Sequence, residues 1–144
     1  MSLSGTDVLK NGLDLNGSVT YADSRVTDNA GFVSTPGDTL GKYQPRVPVW
    51  RATALASYRA NAQWTGTVGA RYSGRQFNTL NNADVNGFAY QGSSKYFTTD
   101  VRVRFQASRQ LSLAVGIDNL NNCAYWNFHP YPQRTAMVEL RYDL

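Results

Sequence analysis

The 144-residue sequence contains one cysteine, one histidine, one glutamate and three lysines. A lone Cys123 excludes an internal disulfide framework and a Cys-rich zinc site. No run of 18 apolar residues occurs, which excludes a transmembrane helix. The opening MSLSGTDVLKNG has neither the basic nor the apolar stretch of a secretory signal. Nine acidic residues are Asp and eleven basic ones are Arg. Scarce Glu and Lys remove good helix formers. The Asn, Gly, Ser, Thr and Tyr that replace them favour strands and turns. The net charge is a modest +4, and the arginines are spread along the chain. A nucleic-acid surface needs them clustered on one face, so nucleic acid is not an expected partner. Taken literally, such a polar chain suggests a soluble cytosolic domain. Outer-membrane β-barrels, however, are also polar overall and carry a weak strand-by-strand signal.

Six segments alternate with period two: Leu13–Ala22, Val49–Ala60, Gln63–Ser73, Tyr96–Gln106, Leu111–Asp118 and Thr135–Leu144. Most are near the 9–11 residues of a tilted transmembrane strand, whereas soluble strands more often have five or six. Their connections alternate as well. Between the second and third segments lies only Asn61–Ala62, and between the fourth and fifth only residues 107–110. The other three, 23–48, 74–95 and 119–134, are long and rich in Gly, Asn, Pro and aromatics. Short turns at one end and long loops at the other are the layout of an outer-membrane barrel.

The faces sharpen this reading. Trp50, Ala52, Ala54, Ala56 and Tyr58 oppose Arg51, Thr53, Ser57 and Arg59. Trp64, Gly66, Val68, Ala70 and Tyr72 oppose Gln63, Thr65, Thr67 and Arg71. Phe97, Thr99, Val101, Val103 and Phe105 oppose Thr98, Asp100, Arg102 and Arg104. In the last segment Ala136, Val138, Leu140, Tyr142 and Leu144 oppose Glu139, Arg141 and Asp143. Three apolar faces carry aromatics eight residues apart. At about 3.3 Å per residue and a tilt near 40°, that spacing projects to roughly 20 Å along a barrel axis, close to the height of a lipid-facing band. Two aromatic girdles result: Tyr58, Trp64, Phe105 and Tyr142 at the short-turn end, and Trp50, Tyr72 and Phe97 at the loop end. A half-buried soluble sheet also alternates. Its core, however, would prefer Leu, Ile and Phe to the Ala and Gly found at mid-face here.

Catalytic and metal chemistry find little support. Cys123 and His129 fall short of the three or four ligands a metal site needs, and read as loop residues. A nucleophile has no orienting third group nearby, and no Gly-rich phosphate loop is present. Neither catalytic, cofactor nor metal residues are assigned, and an enzyme is not expected. The loop residues Phe88, Tyr90, Trp126, Phe128, His129 and Tyr131 are the candidate ligand-binding set. Their rings can stack on a flat ligand or pack the loops against one another, and both readings stand.

The ending LSLAVGIDNLNNCAYWNFHPYPQRTAMVELRYDL resembles the C-terminal end of TonB-dependent outer-membrane receptors. The matching residues are Ile117, Asp118, Asn119, Leu120, Asn122 and Tyr125, then Arg134 and Thr135 at the start of the last strand. Val47–Pro48 is similar to the family's Val-Pro lead into a long strand, and Asp100 to its mid-strand Asp. Asn121, Cys123 and the terminal Leu144 depart from the pattern. The resemblance implies an all-β, antiparallel up-and-down meander of about six long strands, the C-terminal part of a large transmembrane barrel. Residues 1–144 would then be one segment, with plug and earlier strands absent and residues 1–4 an added leader. It further implies the outer membrane of a Gram-negative bacterium, TonB-dependent uptake of iron–siderophore-like ligands, and capture of a metal chelate by the extracellular loops. The implied partners are outer-membrane lipid, the absent plug and barrel strands, and TonB acting through the plug. Arg102, Arg104, Glu139 and Arg141 would line the lumen or pair with the plug. The alternative is a soluble all-β glycan-type binding module using exposed loop aromatics.

Overall fold

A computed structural model of the chain describes residues 1–8, 12–31 and 38–144. Strands β1 (Ser2–Val8), β2 (Leu13–Tyr21), β3 (Trp50–Arg59), β4 (Trp64–Ser73), β5 (Tyr96–Gln106), β6 (Leu111–Asp118) and β9 (Thr135–Tyr142) form one sheet, in the order β1-β2-β3-β4-β5-β6-β9. Every neighbouring pair is antiparallel. Between β6 and β9 the chain makes a small hairpin of β7 (Trp126–Asn127) and β8 (His129–Pro130).

The six segments of the sequence correspond to β2–β6 and β9, and a seventh strand joins them. In β1, Ser2 pairs with Thr20 and Gly5 with Gly17. The seventh strand keeps the alternation of connections, because β1 and β2 are joined by residues 9–12 at the short-turn end.

The turns have local causes. The Asn61 carboxamide oxygen accepts the backbone N–H of Gln63 and Trp64, each at 2.9 Å. The Ser108 hydroxyl accepts those of Gln110 and Leu111 at 3.3 and 3.1 Å. Such side-chain caps close tight turns without a helix.

The sheet is a single layer. Among the described residues only Val26 and Tyr125 are buried hydrophobics, and both lie in loops. The apolar strand residues are instead exposed on one face: Val68 is 56% accessible, Val138 73% and Leu140 71%. A soluble sheet would cover such a face with a second layer. What this architecture presents is an apolar wall, a polar wall and a cluster of long loops at one end.

Candidate functional site

The register assembles the apolar wall. Across β2, β3, β4 and β5, Leu15 meets Ala56, which meets Val68, which meets Val101. Val103, Val115 and Val138 continue the row on β5, β6 and β9. At the short-turn end Trp64 and Phe105 are cross-strand partners with ring centroids 4.6 Å apart. Tyr58 stands opposite Leu13, and Tyr142 opposite Leu111. At the loop end Tyr72 pairs with Phe97, and Trp50 packs 4.8 Å from Tyr21. Tyr21 belongs to this upper row although the sequence reading omitted it. Its signal was present, since it lies eight residues beyond Leu13 in the same phase.

The opposite wall is polar. Hydroxyls pair across strands at Ser18–Thr53 (2.7 Å), Ser57–Thr67 (3.0 Å) and Ser2–Thr20 (3.2 Å). Arg71 bridges Asp100 at 3.1 Å, and Arg59 approaches Asp14 at 3.8 Å. A concavity of about 390 Å³ is lined by Leu55, Ser57, Thr67, Gly69, Asp100, Arg102 and Asp118, with Val101. Nearer the short turns, Arg102, Arg104, Glu139 and Arg141 share a second recess. Arg102 donates to the Met137 sulfur and Arg104 to Gln106 and Ser112; neither has a carboxylate partner among the described residues.

The Asp-Asn-Leu-Asn-Asn run ends β6 by hydrogen bonding rather than by ligand chemistry. Ladder pairing with β5 stops at Val101–Ile117, beyond which the Leu120 N–H still donates to Thr99 C=O at 2.6 Å. Asn121 takes the strand's place: its carboxamide accepts Thr99 N–H at 3.0 Å and donates to Phe97 C=O at 2.8 Å. Asp100 accepts the Asn119 N–H at 2.9 Å as well as the Arg71 guanidinium. Asn119 and Asn122 adopt φ of 53° and 52°, a left-handed backbone that Asn tolerates better than most residues. The Asn119 side chain exchanges two 2.9 Å hydrogen bonds with the Cys123 backbone, and Asn122 accepts the Arg134 N–H. Asn121, a departure from the family pattern, is thus fully employed.

The three long loops brace one another. Tyr43 N–H donates to the Asn82 carboxamide at 2.7 Å, and that carboxamide donates back to Tyr43 C=O at 3.0 Å. Loop 74–95 then zips to the β7–β8 hairpin. Phe128 N–H donates to Gly92 C=O, Gln91 N–H to Phe128 C=O, and Ser94 N–H to Trp126 C=O, at 2.8, 2.8 and 3.0 Å. Gly87 and Gly92 are needed for this fold. A Cβ on Gly87 would lie 2.7 Å from Ser93 C=O, and one on Gly92 2.8 Å from the carbonyls of Asn86 and Ala89. Asp84 anchors the start of the loop through Asn78 N–H, Thr79 N–H and the Thr79 hydroxyl. Burial pushes its carboxyl pKa up, but these donors outweigh it and hold the group below its ordinary value.

The candidate ligand residues divide in this frame. Tyr90, Phe128 and His129 converge, with centroid separations of 5.8, 5.2 and 5.0 Å, and the Arg46 guanidinium lies 5.7 Å over Phe128. Phe128 caps the hairpin at φ 70°, a strained position for a bulky residue. Tyr131 is elsewhere, stacked 4.8 Å from Tyr125, which itself stacks 4.3 Å from Tyr96. Burial there holds the Tyr125 phenol above its ordinary pKa, against the opposing pull of Arg71. Trp126 is half-buried and joins the loops through its backbone, while Phe88 is exposed. Arg46 was not singled out from the sequence, since nothing in its local pattern announces Phe128. No group of three or more His, Cys, Asp or Glu suited to a metal occurs among the described residues.

One apolar wall, one polar wall, short turns at one end and braced loops at the other define a section of an up-and-down β-barrel wall. The model of the TonB-dependent receptor-like β-barrel family matches residues 1–120, and the chain belongs to that family. Its members are transporters, not enzymes. The match stops short of the β7–β8 hairpin and β9, whereas solved structures cover them. The siderophore receptor PiuA from Acinetobacter baumannii superposes with a TM-score of 0.80 at 20% identity, over 98% of this chain and 21% of that one. A ferric enterobactin receptor (PfeA) mutant from Pseudomonas aeruginosa gives 0.70 at 16% identity, over 98% and 21%. The ferric citrate transporter FecA gives 0.75 at 18% identity, over 91% and 21%. At these identities the likeness is one of fold, and the chain spans about a fifth of the structures it matches. Among curated proteins, none matches it.

Proposed function

We propose that this chain forms part of the barrel wall of a receptor in the outer membrane of a Gram-negative bacterium. Such a receptor takes up iron–siderophore-like ligands in a TonB-dependent manner. The observation that carries the reading is the pair of aromatic rows bounding an exposed apolar wall, with every long loop beyond the same row. Lipid covers that wall. The polar wall faces the lumen, where the guanidinium groups of Arg102 and Arg104 meet acidic groups of a plug, and TonB acts through that plug. The Tyr90–Phe128–His129 cluster with Arg46 offers an anionic, flat metal chelate both ring faces and a cation. An exposed apolar wall of this extent argues against the soluble glycan-binding alternative. Titrating a ferric siderophore onto the receptor carrying Tyr90→Ala and Phe128→Ala tests the loop assignment. Weaker binding with unchanged barrel stability is the expected outcome; unchanged affinity returns the cluster to loop packing.

A further inference from the structure

An apolar groove of about 300 Å³ opens just beyond the upper aromatic row, where Trp50 and Tyr72 of the outward wall meet loops 23–48 and 74–95. It is lined by Tyr43, Val47, Trp50, Tyr72 and Phe77, together with Arg75. A four-member stack runs along one side of it. Arg25 lies 4.1 Å over the Tyr43 ring, Tyr43 stacks on Phe77 with planes 6° apart, and Arg75 lies 4.5 Å over Phe77. Of the two cations, Arg25 is neutralised by Asp23 at 2.8 Å. Arg75 donates to the backbone carbonyl of Asp84 at 3.2 Å and has no carboxylate partner among the described residues. The nearby Asp84 carboxylate is already engaged by Asn78 and Thr79.

We infer that this groove binds one phosphate-bearing lipid of the leaflet at the long-loop end, its phosphate on Arg75 and an acyl chain along the groove. Charge and shape agree on this occupant. A guanidinium presents a fork of donors suited to phosphate oxygens. Below the groove the outward wall falls away, because Ala54 pairs with Ala70 and Ala56 with Val68, so an alkyl chain leaving the groove meets smaller side chains. Aromatic rings at this level are suited to the boundary between headgroups and hydrocarbon.

The inference rests on the barrel-wall reading, and the experiment separates the two. The receptor carrying this chain is purified in detergent, and binding of lipid A is measured by native mass spectrometry for the unaltered protein, Arg75→Ala, Arg75→Glu and Arg109→Ala. Heat-modifiable migration establishes that each variant is folded. Arg75→Ala is expected to weaken binding of one lipid on the order of tenfold, and Arg75→Glu more. Arg109→Ala, at a short turn, should leave binding unchanged. Dephosphorylated lipid A should bind the unaltered protein as weakly as lipid A binds Arg75→Ala. Equal lipid binding by all folded variants overturns the inference and leaves the barrel reading standing, as does competition by inorganic phosphate alone as effective as by lipid. A protein that never shows heat-modifiable migration overturns both.

Discussion

Ala54→Arg tests which wall meets lipid. Ala54 lies four residues from Trp50 and four from Tyr58, between cross-strand partners Gly17 and Ala70. Four residues at about 3.3 Å, tilted near 40°, put it roughly 10 Å from each aromatic row, close to the bilayer midplane. An arginine there is expected to cost about 2–4 kcal/mol. Thr53 is adjacent in sequence but on the polar wall, where its hydroxyl pairs with Ser18 at 2.7 Å. Thr53→Arg loses that hydrogen bond, worth about 0.5–1.5 kcal/mol, and places its charge in a wet lumen. Urea unfolding of the vesicle-inserted receptor, followed by heat-modifiable migration, should therefore separate the variants by about 2 kcal/mol. Equal costs, or the reverse order, would refute the face assignment.

Asp100→Ala removes the acceptor of both Asn119 N–H and the Arg71 guanidinium. Allowing for screening of the half-exposed Arg71, it should cost about 1–2 kcal/mol by the same unfolding measurement and raise hydrogen exchange at residues 119–123. Gly92→Ala drives a Cβ into the carbonyls of Asn86 and Ala89, so limited proteolysis should cut loop 74–95 faster while the strands stay protected. Acid should loosen the same loop. Because native Asp84 titrates below its unfolded value, its contribution is complete above the ordinary carboxylate range and is lost as pH falls through the native pKa. Hydrogen-exchange protection at Asn78 and Thr79, taken relative to the intrinsic rate at each pH, should fall with acid in the unaltered protein, and Asp84→Asn should flatten that dependence.

What the sequence disclosed follows the reach of its signals. Period two is local, so β2–β6 and β9 were legible to within a residue or two, and so were their two faces. β1 was not, because Ser-Leu-Ser-Gly-Thr-Asp-Val alternates poorly: Leu3, Gly5 and Asp7 share a phase. The β7–β8 hairpin has no periodicity to read, being two residues on each side of Phe128. Loop positions were visible, but not their contacts. Tyr43 meets Asn82 and Ser94 meets Trp126 across 39 and 32 residues, distances over which composition carries no pairing information. For that reason the six candidate residues could be named as loop aromatics but not sorted into the Tyr90–Phe128–His129 cluster and the Tyr125–Tyr131 stack.

The three tryptophans permit a direct test of the central claim, that the two aromatic rows lie at the two faces of a bilayer. Single-tryptophan forms of the receptor retaining Trp50, Trp64 or Trp126 are inserted into vesicles whose lipids carry bromine at graded depths along the acyl chain. Trp50 and Trp64, near opposite ends of the apolar wall, should each be quenched most strongly by bromine near the headgroups and weakly by bromine at the chain ends. Trp126, in the loop cluster beyond the upper row, should escape quenching. Unquenched Trp50 and Trp64, or quenching of Trp126 as strong as theirs, would contradict the account.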